Sequence, residues 1–86
     1  MEVFGFCLMD SKEKLKTIRD EIDSIDNKIC SLLVSRRNLA ISAKQYKESI
    51  IDTAREEEII KKSMSYGSWL QVIYKEIINE CRKAQL

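Results

Sequence analysis

Arg36 occupies a position where the surrounding pattern asks for an apolar side chain. Leu15, Ile18, Ile22, Ile25, Ile29, Leu32, Arg36, Leu39, Ala43 and Tyr46 follow one another in steps of three and four, the spacing of a helix seam with a period near 3.5. A guanidinium in such a seam needs a counter-ion or it destabilises the fold. No acidic residue fills a neighbouring seam slot, so an anionic ligand can be the missing partner. Two more cations border the seam. Lys47 comes eleven residues after Arg36, close to three helical turns, on nearly the same side and about 16 Å along the axis. Arg19 lies seventeen residues before Arg36, about 25 Å away in the same helix and too far to share a small ligand. In an antiparallel pair of chains, however, Arg19 of one copy comes near Arg36 and Lys47 of the other, and three cations then surround one small polyanion. Taken singly, Arg19 and Lys47 also fit a solvated helix edge with snorkelling stems.

Further polar groups fall on faces expected to be buried. Asp52, Thr53, Ala54, Arg55 and Glu56 open a helix. Thr53 with Glu56 has the spacing of a capping box, and Asp52 is itself a good N-cap. Glu56 also precedes Ile59 and Ile60 by three and four residues, which turns it toward the core, where a carboxylate can take a ligand hydroxyl. Gln85 sits one turn after Cys81 on an apolar face; near a chain end, simple solvation is its plain alternative. The chain contains no histidine, which removes Ser-His and Cys-His mechanisms. Cys7, Cys30 and Cys81 lack a metal-ligand spacing, so neither a zinc site nor any other metal or cofactor is expected.

Long helices must position these groups. The chain has 86 residues, no proline, and glycine only at positions 5 and 67. The first helix is read from Asp10 or Ser11 to about Glu48, roughly 55 Å of helix. A globule of this chain length has a radius of gyration of about 12 Å, so the remainder of the chain cannot cover such a stripe. An intertwined homodimer is the economical solution; a break near Ser35 or Ser42 would give a monomeric bundle instead. A short turn follows. The second helix runs from Asp52 or Thr53 to about Ser65. After a break at Tyr66, Gly67 and Ser68, a third helix runs to about Ala84, with Leu70, Ile73, Tyr74, Ile77, Ile78 and Cys81 on one face. The expected fold is all-α, three helices per chain with a very long first one. Residues 1–9 are read as an extension, a mobile tail in preference to one that packs on the body, and residues 10–86 as one helical domain.

The net charge is +1, which offers no field for nucleic acid. No apolar run reaches membrane-spanning length. The apolar start, Met1 to Leu8, lacks a basic segment and a small-residue cleavage site, so it makes a poor signal peptide. A reducing, cytoplasmic setting is expected.

In order along the chain, several stretches match a known pattern. They are the run Leu15 to Asp26, the run Leu32 to Ala40 containing Arg36 and Arg37, then Lys47, then Asp52, Thr53, Ala54, Arg55 and Glu56, and finally Ile77 to Cys81 with Gln85. In these residues the chain resembles the all-helical chorismate mutases over about residues 12 to 86. The resemblance implies an interlocked dimer with two sites and chorismate as the small-molecule substrate. Each site would be lined by Arg36, Lys47, Asp52, Arg55, Glu56, Cys81 and Gln85 of one chain, with Arg19 reaching in from the partner chain. It implies the rearrangement of chorismate to prephenate in phenylalanine and tyrosine biosynthesis, with no covalent intermediate. Arg19 and Arg36 would hold the carboxylates, Lys47 and Gln85 would donate to the ether oxygen, Glu56 would take the ring hydroxyl, and Arg55 would order Glu56 or a carboxylate. Cys81 stands where many members have serine, and a thiol is the weaker donor. An isochorismate-pyruvate lyase on the same scaffold is the nearest alternative, although relatives of that kind tend to lack the acidic pair corresponding to Asp52 and Glu56. A non-catalytic helical dimerisation or regulatory module explains the seam but not Arg36, Lys47 and Gln85. A mutase made efficient by a partner enzyme of the aromatic pathway is a further possibility.

Overall fold

The structure, a computed structural model, describes residues 10–86. The extension expected at residues 1–9 lies outside the described residues. Among those described, all regular structure is helical: α1, Ser11–Ala43; a single 3-10 turn, Lys44–Tyr46; α2, Thr53–Met64; and α3, Ser68–Gln85. The chain divides within α1 into two compact units, Met1–Leu33 and Val34–Leu86. No helix among the described residues is long and apolar enough to cross a membrane.

The described part of the first unit is the N-terminal portion of α1. Asp10 starts it, its Oδ1 accepting the Glu13 N–H at 2.8 Å, which satisfies one of the donors that a helix start leaves without a partner. Lys16 and Asp20 pair one turn apart at 2.8 Å, a solvated contact of the kind that adds little to stability. The seam Leu15, Ile18, Ile22, Ile25, Ile29 and Leu32 is formed as its spacing predicts, yet each of these residues is between 44% and 69% exposed. A helix gains most of its stability in proteins by burying an amphipathic face, and here that face is open.

The second unit holds the end of α1, the loop 47–52, and the antiparallel partners α2 and α3. Asp52 caps α2, its Oδ1 accepting the Arg55 N–H at 3.1 Å. The expected capping box is thus replaced by its simpler alternative, with Glu56 turned elsewhere. At the other end of α2, Gly67 takes φ 146°, a conformation open to glycine at little cost. A Cβ there would come within 2.5 Å of the Trp69 indole nitrogen. Ile78 is the one described hydrophobic residue reduced to 9% exposure, and Ser63 and Gln85 are the buried polar ones. The Ser63 hydroxyl is satisfied by the Ile60 carbonyl at 2.6 Å.

The end of α1 departs from the sequence-based expectation. The helix stops at Ala43 rather than near Glu48, and after the 3-10 turn Lys47 is extended, at φ −106° and ψ 140°. No glycine or proline marks this break. Tertiary contacts accompany it: the Gln85 side-chain amide donates to the Ala40 carbonyl at 2.8 Å, in the stretch where helix carbonyls run out of intrahelical donors. The Lys47 ammonium folds onto the Ile50 carbonyl at 2.7 Å, while the Ser49 hydroxyl accepts the Ile51 N–H at 3.3 Å. The spacing argument that put Lys47 three turns along the helix from Arg36 therefore does not apply; the loop carries Lys47 instead.

Candidate active site

A cavity of about 360 Å³ opens in the second unit, within the usual range for small-molecule sites. The end of α1 contributes Arg36, the loop Lys47, the start of α2 Asp52, Arg55 and Glu56, and the last turns of α3 Cys81, Arg82 and Gln85. Apolar walls come from Leu39, Ile50, Ile59 and Ile78 among others. All seven residues expected from one chain are thus brought together. Arg19 belongs to the first unit, where it is exposed, and does not line this cavity.

Each polar side chain reaches the cavity for a local reason. Asp52 and Arg55 are placed by the cap of α2. Cys81 and Gln85 are one turn apart on α3 and share its inward face with Ile78, so burial of that face carries both inward. Gln85 is only 5% exposed, not solvated as its place near the chain end allowed. Its amide orientation follows from its neighbours. Oε1 faces the Lys47 ammonium at 3.4 Å and Nε2 faces the Ala40 carbonyl at 2.8 Å; a cation only donates and a carbonyl only accepts, so the reverse assignment is excluded.

The charges are unevenly paired. Four cations, Arg36, Lys47, Arg55 and Arg82, face two carboxylates, Asp52 and Glu56, a surplus of two positive charges. Asp52 is engaged with the α2 backbone. Glu56, whose side chain is 19% exposed, is gripped by Arg82 from α3 through both carboxylate oxygens. The hydrogen bond to Glu56 holds the Arg82 guanidinium above its ordinary pKa, against the smaller opposing effect of burial. Arg55 pairs loosely with Glu58, at 3.6 Å and well exposed. Among the described residues, Arg36 hydrogen-bonds only the Cys81 sulfur, at 3.1 Å, a weak acceptor. Lys47 has the neutral oxygens of Ile50 and Gln85. Two half-buried cations without a carboxylate partner line an apolar-walled cavity, an arrangement suited to a small dianion.

Of the two carboxylate roles expected of Arg55, the contact with Glu56 is made by Arg82 instead, while Arg55 itself meets the carboxylate of Glu58. Arg82 was absent from the sequence-based set. It follows Cys81 on a helix whose apolar face leaves it at the border, where an arginine reads as a surface charge. Its partner is 26 residues away in the chain. The i, i+3 and i, i+4 periodicity of α3 marks that border but not the acid opposite it.

Residues 18–86 match the family model described as chorismate mutase type II. No curated protein and no solved structure matches the chain at a significant level.

Proposed function

Because the chain belongs to the type II chorismate mutase family, we propose that it catalyses the rearrangement of chorismate to prephenate, a step toward phenylalanine and tyrosine. The observation that carries this reading is the pair of cations, Arg36 and Lys47, whose hydrogen-bond partners are all neutral, in a cavity with a surplus of two positive charges. Chorismate is a dicarboxylate, and its rearrangement needs orientation and charge stabilisation rather than a nucleophile or a proton transfer.

In the proposed mechanism Arg36 binds one substrate carboxylate and Arg19 of the partner subunit binds the other, each with a guanidinium fork. This confines the substrate to its compact reactive shape, an orientational gain. Negative charge grows on the ether oxygen as its bond to carbon breaks. Lys47 has three N–H donors, of which two are engaged at 2.7 and 3.4 Å. Gln85 Nε2 has two, one engaged with Ala40. The remaining donors of both would converge on the ether oxygen and stabilise the transition state more than the ground state. Glu56 and the start of α2 at Asp52 would take the ring hydroxyl. Arg55 and Cys81 would line the substrate, with Cys81 contributing little.

The shared site requires a homodimer. The open seam of α1 supports one: a second copy offers an apolar stripe of the same length and period. We take residues 10–86 as the mutase domain and the cytoplasm as its setting. The acidic pair Asp52 and Glu56 in the cavity supports the mutase over a lyase acting on isochorismate.

A direct assay decides. Purified protein should consume chorismate and form prephenate, with inhibition by a bicyclic transition-state analogue. Pyruvate and salicylate from isochorismate, with no prephenate from chorismate, would establish the lyase. No turnover of either substrate would leave a binding or regulatory module.

A further inference from the structure

We infer that Arg82 is a positioning residue for Glu56, fixing that carboxylate as the acceptor of a substrate hydroxyl; the inference rests on the function proposed above. The two side chains come from different helices, α2 and α3, and both line the cavity. The contact is two-pronged: Arg82 Nε donates to Glu56 Oε2 at 2.8 Å, and Nη2 donates to Oε1. A planar fork on a planar carboxylate sets its rotation as well as its position, which a point charge cannot do.

A carboxylate has about four lone-pair sites. The fork occupies two and leaves the others for a ligand, so the grip orients Glu56 without using it up. Among the described cations that line this cavity, each of the other three already has partners of its own. Arg55, the adjacent cation on α2, is engaged with Glu58 on the solvent side, and Arg36 and Lys47 are held by Cys81, Ile50 and Gln85. A freed Glu56 would swing through several rotamers or draw one of the substrate-binding cations away from the substrate.

A ring hydroxyl is not a reacting group, so its acceptor supports binding in ground state and transition state alike. Loss of its orientation should therefore fall mainly on KM. A supporting residue of this kind is typically worth about 10- to 100-fold in activity. Arg82 differs in this from Arg36, whose removal would strike the substrate carboxylate directly.

The test is a double-mutant cycle in the full chain, R82A, E56A and the pair, with kcat and KM measured on chorismate and thermal midpoint and subunit size followed in parallel. R82A should raise KM about tenfold or more, and R82K should recover only part, because it restores charge but not the fork. In the E56A background, R82A should add less than about threefold, since Arg82 acts through Glu56. Unchanged kinetics in R82A, or an undiminished loss on top of E56A, would overturn the inference; the latter would mean that Arg82 touches the substrate itself. Nitrogen NMR of the arginine side chains reads the pairing without the reaction: the Arg82 Nε–H signal should move in E56A. If the wild-type protein leaves chorismate untouched, the proposed function fails, and a stationary Arg82 signal then overturns the pairing independently.

Discussion

Arg36 and Lys47 are cations held by neutral acceptors, and that imbalance is the site's chemical signature. Arg36→Ala or Lys47→Ala should each lower kcat/KM by about a hundredfold or more while subunit size is unchanged; full activity in either variant would remove the residue from the mechanism. Gln85 matters for a different reason. As an amide it does not titrate, so it remains a donor at any physiological pH. Gln85→Glu should add a pH dependence to whatever the wild type shows. The acid form can donate, whereas the carboxylate, facing Lys47, cannot, so activity should survive at low pH and fall as pH rises through the introduced titration. A kcat/KM profile for this variant that follows the wild type's would exclude Gln85 as a donor to the ether oxygen. At this scale the sequence was informative where a polar group interrupts an apolar pattern, as at Arg36, Glu56 and Gln85. It was silent at Arg82, which sits at the border of a face and has its partner on another helix.

The elements that carry these residues are set by their ends. Asp52 caps α2 and thereby holds Arg55 and Glu56 at the cavity. Asp52→Ala should destabilise the protein by about 1 kcal/mol in chemical denaturation, with Thr53→Ala close to neutral; the opposite ranking would mean that Thr53 is the cap. Starts and stops with a local signature were legible: the capping residue of α2, the Gly67 break, and the long i, i+3, i+4 runs of α1 and α3. The end of α1 was not. Its residues from Ala40 to Tyr46 continue the helical pattern, and what accompanies the break is an amide from the far end of the chain on the Ala40 carbonyl. Gln85→Ala should therefore cost stability as well as activity, about 1 kcal/mol or more for the lost bonds of a buried amide, measured by the same denaturation.

Among the described residues the apolar seam of α1 lies open from Leu15 to Leu32. Ile25→Glu, in the middle of that stripe, should abolish the proposed dimer in sedimentation or scattering and take chorismate turnover with it; a fully active monomer would rule out shared sites. Mixing Arg19→Ala chains with Lys47→Ala chains should restore activity, because each mixed dimer contains one site with both residues intact. No recovery despite proven subunit exchange would argue against Arg19 of the partner subunit acting in the site. The all-helical class, the number of helices and most of the cavity residues were determined by the sequence, because periodicity and interrupted apolar faces are local properties of a helix. The tertiary structure alone decided where α1 stops, how Gln85 is oriented, and that Arg82 rather than Arg55 grips Glu56. Each of these goes with a bond between residues far apart in the chain, and a hydrogen bond of that kind leaves no trace in the spacing of its partners.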